Sequence, residues 1–223
     1  MISFLLAALA LLLAGCASLP ESVVRPVSTV LVAPPSAPLA AASRAASLAD
    51  GYSGFRAMPQ SAVALDARLE LIRRATLSLD LQCYLIGDDS IGRLILRELG
   101  AAADRGVRVR LLLDDLYAEG LDELLLGLAA HPGVEIRLFN PFAYGRNSSL
   151  ARLWHLATDF RRLNHRMHNK LFIADGSVAV AGGRNLADEY FLRNKSANFI
   201  DFDLLVAGAV VTDLNAAFDA YWN

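Results

Sequence analysis

A span of eighteen residues sets out an imidazole, an ammonium, a carboxylate and a carboxamide: His168, Lys170, Asp175 and Asn185, the last preceded by Gly182 and Gly183. Imidazole attacks a phosphodiester phosphorus or passes a proton at neutral pH, so His168 is the nucleophile or its partner acid. A lysine and an asparagine can hold the non-bridging oxygens as charge builds in the transition state. Glycine lets the backbone approach a ligand and offers N–H groups to an anion, which assigns Gly183 to phosphate binding together with Lys170 and Asn185. A lone histidine near a lysine is usually incidental. The complete spaced set would arise by chance on the order of once in several million starting points, so the set and not the histidine carries the inference.

These residues need elements to hold them. Apolar residues recur at helical spacing from Ala62 to Thr76, and Leu77 to Leu85 alternates as a strand. Ser90 suits the N-cap of a helix through Arg105, closed by Gly106, and Val107 to Leu113 forms the next strand. A helix over Leu121–Ala130 and a strand over Val134–Phe139 repeat the pattern, and a helix is expected over Leu150–Arg162 with Leu153, Trp154, Leu156, Ala157 and Phe160 on or near its apolar side. Two strands, His165–Ala174 and Ser177–Ala181, flank a turn at Asp175-Gly176, and the two-residue step places His168 and Lys170 on one strand face. A strand over Asp201–Val206 and a helix over Asp213–Trp222 complete the series. Strands alternating with helices predict an α/β domain around a mainly parallel central sheet flanked by helices.

Composition narrows the partners. Of 223 residues 55% are hydrophobic, enough for a packed core, and the formal charge of -2 lacks the basic excess that neutralises nucleic-acid phosphates, so no nucleic-acid partner is expected. The local basic cluster Arg161, Arg162, His165 and Arg166 suits an anionic headgroup and a solvated helix end equally well. Residues 1–15 read as an export signal, ending in Leu13-Ala14-Gly15-Cys16, which resembles a bacterial lipobox with Cys16 as the lipidated residue. Residues 16–50, rich in Ala, Pro and Ser, read as a tether, and residues 51–223 as the folded lobe. This address predicts an exported lipoprotein anchored to a membrane surface and facing the periplasm. No disulfide is expected between Cys16 and Cys83.

The His168–Asn185 set resembles the HKD signature of the phospholipase D superfamily. Arg166-Met167-His168-Asn169-Lys170, the run Gly182 to Phe191, Asp80 to Tyr84, Asp104 to Asp115 and Leu138 to Phe142 resemble its cardiolipin synthase C branch in particular. The resemblance implies the phospholipase D fold, transfer of a phosphatidyl group through a phosphohistidine, and no metal or cofactor. It counts Asp175 with the catalytic signature, although a turn position suits an architectural role. It also implies that a carboxylate from a later strand orients His168, with Asp201 favoured and Asp203 next. Gln82 and Tyr84 are expected to line the pocket or pack in the sheet.

Members of this superfamily combine two HKD signatures about a pseudo-twofold axis, one histidine attacking and the other protonating the leaving alcohol. His131, His155 and His165 are not followed by Lys two residues on, so this chain supplies one signature. It is therefore expected to be one lobe of a pseudo-twofold pair, the N-terminal half of a longer enzyme, completed by a second HKD lobe or a homodimer partner. Phosphatidylglycerol, phosphatidylethanolamine and cardiolipin are the implied lipids. A homodimeric phosphodiesterase or nuclease and a catalytically silent, lipid-anchored half-domain are the competing expectations.

Overall fold

The computed structural model describes residues 19, 23, 25–46, 49–145 and 148–223. The expected signal segment and Cys16 lie outside them. In chain order the elements are α1 (Pro38–Ala46), β1 (Ser53–Met58), α2 (Ser61–Arg74), β2 (Ser78–Cys83), α3 (Ser90–Asp104), β3 (Arg108–Asp114), α4 (Asp122–Ala129) and β4 (Val134–Phe139). There follow α5 (Ser149–Thr158), α6 (Phe160–Leu163), β5 (Leu171–Ala174), β6 (Val178–Gly182), β7 (Asp203–Gly208) and α7 (Val210–Trp222). No helix among the described residues is long and apolar enough to cross a membrane.

The α/β class stands, with one seven-stranded sheet in the order β1-β7-β6-β5-β2-β3-β4. Its pairing corrects the expectation of a mainly parallel sheet. Only β2–β3 and β3–β4 are parallel, whereas β2–β5, β5–β6, β6–β7 and β1–β7 are antiparallel. Helical crossovers force parallel neighbours only as far as β4. Beyond it, β5 and β6 are joined by a tight turn in which Ser177 N donates to Ala174 O at 3.0 Å. Asp175 and Gly176 there have φ of 53° and 58°, the left-handed pair that matches the twist of a two-stranded ribbon.

The inner strand β2 is buried along its whole length. Leu79, Leu81 and Cys83 join the cluster formed with α2 and α3, which includes Ile72, Ile95, Leu99, Leu111 and Leu113. The alternate residues do not face water. Asp80 accepts from Arg110 Nε at 2.5 Å on the adjacent strand, and Arg110 reaches Asp219 of α7 at 2.9 Å while lying over Phe218 at 4.8 Å. The alternation that marked the strand therefore separates two buried faces, one apolar and one held by ion pairs.

Helix α3 begins one residue later than its cap. Asp89, and not Ser90, is the N-cap, accepting from Ile91 N at 3.1 Å and Gly92 N at 2.9 Å. The helix expected over 150–162 is broken at Asp159, whose backbone leaves the helical region with φ −136°.

Residues 25–46, within the expected tether, make contacts with the body. Val30 N donates to Asp219, Trp222 Nε1 to Ser28 Oγ at 3.0 Å, and Ala33 N to Asp175 O at 2.9 Å. Leu39, Ala40 and Ser43 of α1 are buried, and Ser43 Oγ accepts from Gly208 N at 3.1 Å. Small residues without charge read as low complexity, yet their size lets the backbone settle into shallow grooves and spend its polar groups there.

Candidate active site

His168 and Lys170 do not lie on a strand. β5 begins at Leu171, because the chain before it is held by side chains in place of a ladder. Asp114, at the end of β3, accepts from Met167 N at 2.9 Å and from Arg166 Nη1 at 3.1 Å, and Met167 is buried beneath. The motif thus projects at the carboxyl ends of β2 and β3, since Leu171 is registered against Gln82.

Tyr84 is the meeting point of the two motif residues. Its ring stands edge-on to the His168 ring at 4.7 Å, and Lys170 Nζ lies 5.1 Å from its centroid. Lys170 Nζ also donates to His168 O at 2.7 Å. Tyr117 packs on the far side of Tyr84 at 5.1 Å. Burial, with Tyr117 and Asp114 adding to it, pushes the Tyr84 phenol up to about 12, so it stays neutral. His168 is exposed, and among the described residues its ring makes no hydrogen bond.

Lys170 is partly buried, and that desolvation lowers its pKa while Cys83 and Asp201 work against the shift. The Cys83 thiol is itself pushed up to about 12 by burial, so it is neutral at pH 7 and Asp201 is the carboxylate that supports the ammonium.

Asn185 is held between the strand ends that carry these groups. Gly182 N donates to Lys170 O at 3.4 Å, and Leu186 N donates to Leu85 O at 3.1 Å. The Asn185 side chain is buried and, among the described residues, its Oδ1 has no hydrogen-bond partner. An unpaired buried amide oxygen can take a hydrogen bond from a ligand or a water.

The glycines act differently from the expectation. Gly183 N–H is taken by Phe202 O at 3.0 Å, so it is not a free anion donor. A Cβ on Gly183 would meet Asp201 Oδ1 at 1.9 Å, and one on Gly182 would meet Phe202 O at 2.5 Å. Their role is to let the 201–203 segment close over the end of β6.

The expected orienting carboxylates separate. Asp201 sits over Gly183 and near Lys170, but its Oδ1 accepts from Phe202 N at 2.7 Å and not from His168. Asp203 is corrected outright: it is fully buried between Arg68 at 3.0 Å and Arg184 at 3.2 Å. Truncating it leaves two guanidiniums in the core without their carboxylate. Asp203→Ala is expected to cost about 3–5 kcal/mol of stability, read as a lower denaturation midpoint, and an unchanged midpoint would contradict the pairing.

Asp175 lies at the other end of β5, roughly 15 Å of extended chain from Lys170. Its carboxylate accepts from Thr76 N, Thr76 Oγ1, Leu77 N and Ser78 N at 2.8–3.1 Å. It ties the β5–β6 turn to the start of β2 and does not reach the site.

Sequence reasoning gave no role to Arg68, Arg184, Asp114 or Tyr117. Arg68 carried a signal, a charge among Leu65, Leu69 and Ile72 on the apolar face of α2. Within the basic cluster, Arg162 is paired with Asp159 at 2.5 Å and Arg166 with Asp114, which leaves Arg161 without an ion pair among the described residues.

Residues 69–222 match the family described as "Cardiolipin synthase, PLD-like domain". The chain belongs to this family. It is 46% identical over 172 residues to cardiolipin synthase C of Escherichia coli (strain K12), covering 77% of this chain and 36% of that protein. It is 34% identical over 159 residues to a cardiolipin synthase of Staphylococcus aureus (strain Mu50 / ATCC 700699), covering 71% and 30%. The chain thus spans about a third of the length of these curated relatives. Among solved structures, NucT from Helicobacter pylori superposes with a TM-score of 0.51 at 18% identity, covering 76% of this chain and 92% of that one. The phosphatidylserine synthase of Haemophilus influenzae Rd KW20 gives 0.54 at 16% identity, covering 71% and 34%. These two likenesses concern the fold.

Proposed function

We propose that this chain carries one half-site of a phosphatidyltransferase of the cardiolipin synthase type, working through a phosphohistidine. The convergence of His168 and Lys170 on Tyr84, at the strand ends that also hold Asn185, is the observation that supports it. His168 attacks the phosphorus of a phospholipid such as phosphatidylglycerol, and the bond to the headgroup oxygen breaks as that oxygen takes a proton from a general acid. The acid is the histidine of a second HKD lobe or of a partner copy. A glycerol hydroxyl of another phospholipid, or water, then gives its proton to that second histidine, attacks the phosphorus and breaks its bond to His168. Lys170 and Asn185 hold the non-bridging oxygens in both steps. The chain works as an exported lipoprotein anchored through Cys16, facing the periplasm.

The test is incubation with phosphatidylglycerol and phosphatidylethanolamine, beside His168→Ala, following cardiolipin and phosphatidic acid. Product lost in the variant supports transfer. Hydrolysis of DNA with salt-sensitive affinity, and no lipid product, would favour the phosphodiesterase reading. A chain that turns over neither, even with a second lobe, is the silent half-domain.

The charge on Lys170 gives this activity a signature in pH. Because burial lowers its pKa, the ammonium is lost at a lower pH than for an exposed lysine, and activity falls along that alkaline limb. Asp201→Asn removes the carboxylate that holds the proton, so the limb of the kcat profile is expected to move further towards neutrality. A limb that stays in place would separate Asp201 from Lys170.

A further inference from the structure

Helix α5 presents an apolar stripe that is exposed among the described residues. Leu150, Leu153 and Trp154 fall at i, i+3 and i+4, one helix face, and are 81%, 65% and 61% exposed. The opposite side is fixed to the body, with His155 buried against Tyr144 and Phe142, and Arg152 donating to Leu116 O at 3.1 Å and Glu119 at 2.6 Å. Phe160 continues the exposed apolar surface on α6.

This surface adjoins the candidate active site. The 116–119 turn gripped by Arg152 carries Tyr117, which packs on Tyr84 and so on His168. On another side of the site, Phe199 and Ile200 are exposed on the segment that ends at Asp201, with Phe199 N bonded to Glu189 O at 2.9 Å.

Charge decides between possible occupants. Segments 148–166 and 192–202 together hold six Lys or Arg and two Asp in a chain whose formal charge is -2. Among the described residues Arg161, Arg193 and Lys195 make no ion pair. Exposed Leu, Phe and Trp in segments that also carry cations without an ion pair among the described residues match the interface of an anionic bilayer, where apolar side chains enter the acyl boundary and cations meet phosphates. We infer that the exposed face of α5, with Phe160 and the 199–200 tip, docks on an anionic phospholipid surface and brings the His168 site to its lipid. This rests on the phospholipid reading above and names the surface through which it operates.

The chain has two tryptophans, and Trp222 is 1% exposed, so a change in emission on adding lipid reports Trp154. The full chain is mixed with vesicles of equal parts phosphatidylglycerol and phosphatidylcholine, and with phosphatidylcholine alone, each also prepared with lipids brominated along the acyl chain. The expected result is a blue shift and bromine quenching with the anionic vesicles, weakened by salt and lost in Leu150→Asp/Leu153→Asp, whose sites are too exposed for that change to unfold the protein. Trp154→Phe should remove the response. Emission that does not move while the chain pellets with the vesicles would overturn the inference, placing attachment elsewhere. A blue shift without lipid that grows with protein concentration, or on adding a second lobe, would also overturn it and give this face to a protein partner. The readout needs no turnover: docking without lipid products would count against the proposed function alone, and products with a silent Trp154 against docking alone.

Discussion

His168→Ala is expected to lower phosphatidyl transfer by on the order of 10³-fold or more while leaving the unfolding midpoint unchanged. The imidazole is exposed and its ring makes no hydrogen bond among the described residues, so its removal opens no cavity and orphans no partner. Substitutions at such sites usually change stability by less than about 0.5 kcal/mol. The whole loss should therefore appear in kcat, since Lys170 and Asn185 still bind the phosphate. Lipid turnover and a denaturation curve on the same preparation check both halves. A variant that retains most of its activity would remove His168 from the chemistry, and one that fails to fold would mean that its contact with Tyr84 is structural.

Asp175→Ala is expected to act in the opposite way, costing about 3–5 kcal/mol of stability, since several buried donors lose their acceptor at once. For a chain of this size that corresponds to a fall in Tm of about 10 °C. The three consecutive amides of Thr76, Leu77 and Ser78 have no other side-chain acceptor in place, and alanine tolerates φ near 53° less well than aspartate does. Activity per folded molecule should be retained at low temperature. A stable Asp175→Ala protein without turnover would contradict this and return Asp175 to the catalytic set.

The contrast between these two members of one signature shows what the sequence could convey. Spacing alone brought out His168, Lys170 and Asn185, because their chemistry is written in their residue types. A strand through Ala174 and a turn at Asp175 already put extended chain between Lys170 and Asp175 and suited Asp175 to an architectural role, but its partners, the amides of Thr76 to Ser78, lie 97 to 99 positions away and left no local trace. Most helices and the strands β2 to β4 were legible from periodicity. β1 was not, because Ser-Gly-Phe-Arg-Ala-Met shows no alternation and its partner β7 lies about 150 residues away in the register Ser53 to Gly208. The same distance hid the site's support. Arg68 and Asp203 are separated by 135 positions, and Asp114 grips the motif across 53. Long-range pairing of this kind leaves only an odd charge on an apolar face as its local trace. Direction in the sheet was misread because alternating elements do imply parallel strands as far as β4, and the turn at Asp175-Gly176 made only β5 and β6 antiparallel without showing how β5 pairs with β2 or β7 with β6.

The most direct test of the central claim is intact-mass measurement, at neutral pH, of the assembly that turns over phosphatidylglycerol, quenched during turnover, whether the chain is paired with itself or with a second lobe. The expected result is an added mass of one phosphatidyl group, mapped to His168 and absent from His168→Ala. Turnover with no adduct on this chain, or with an adduct that survives in His168→Ala, would contradict it.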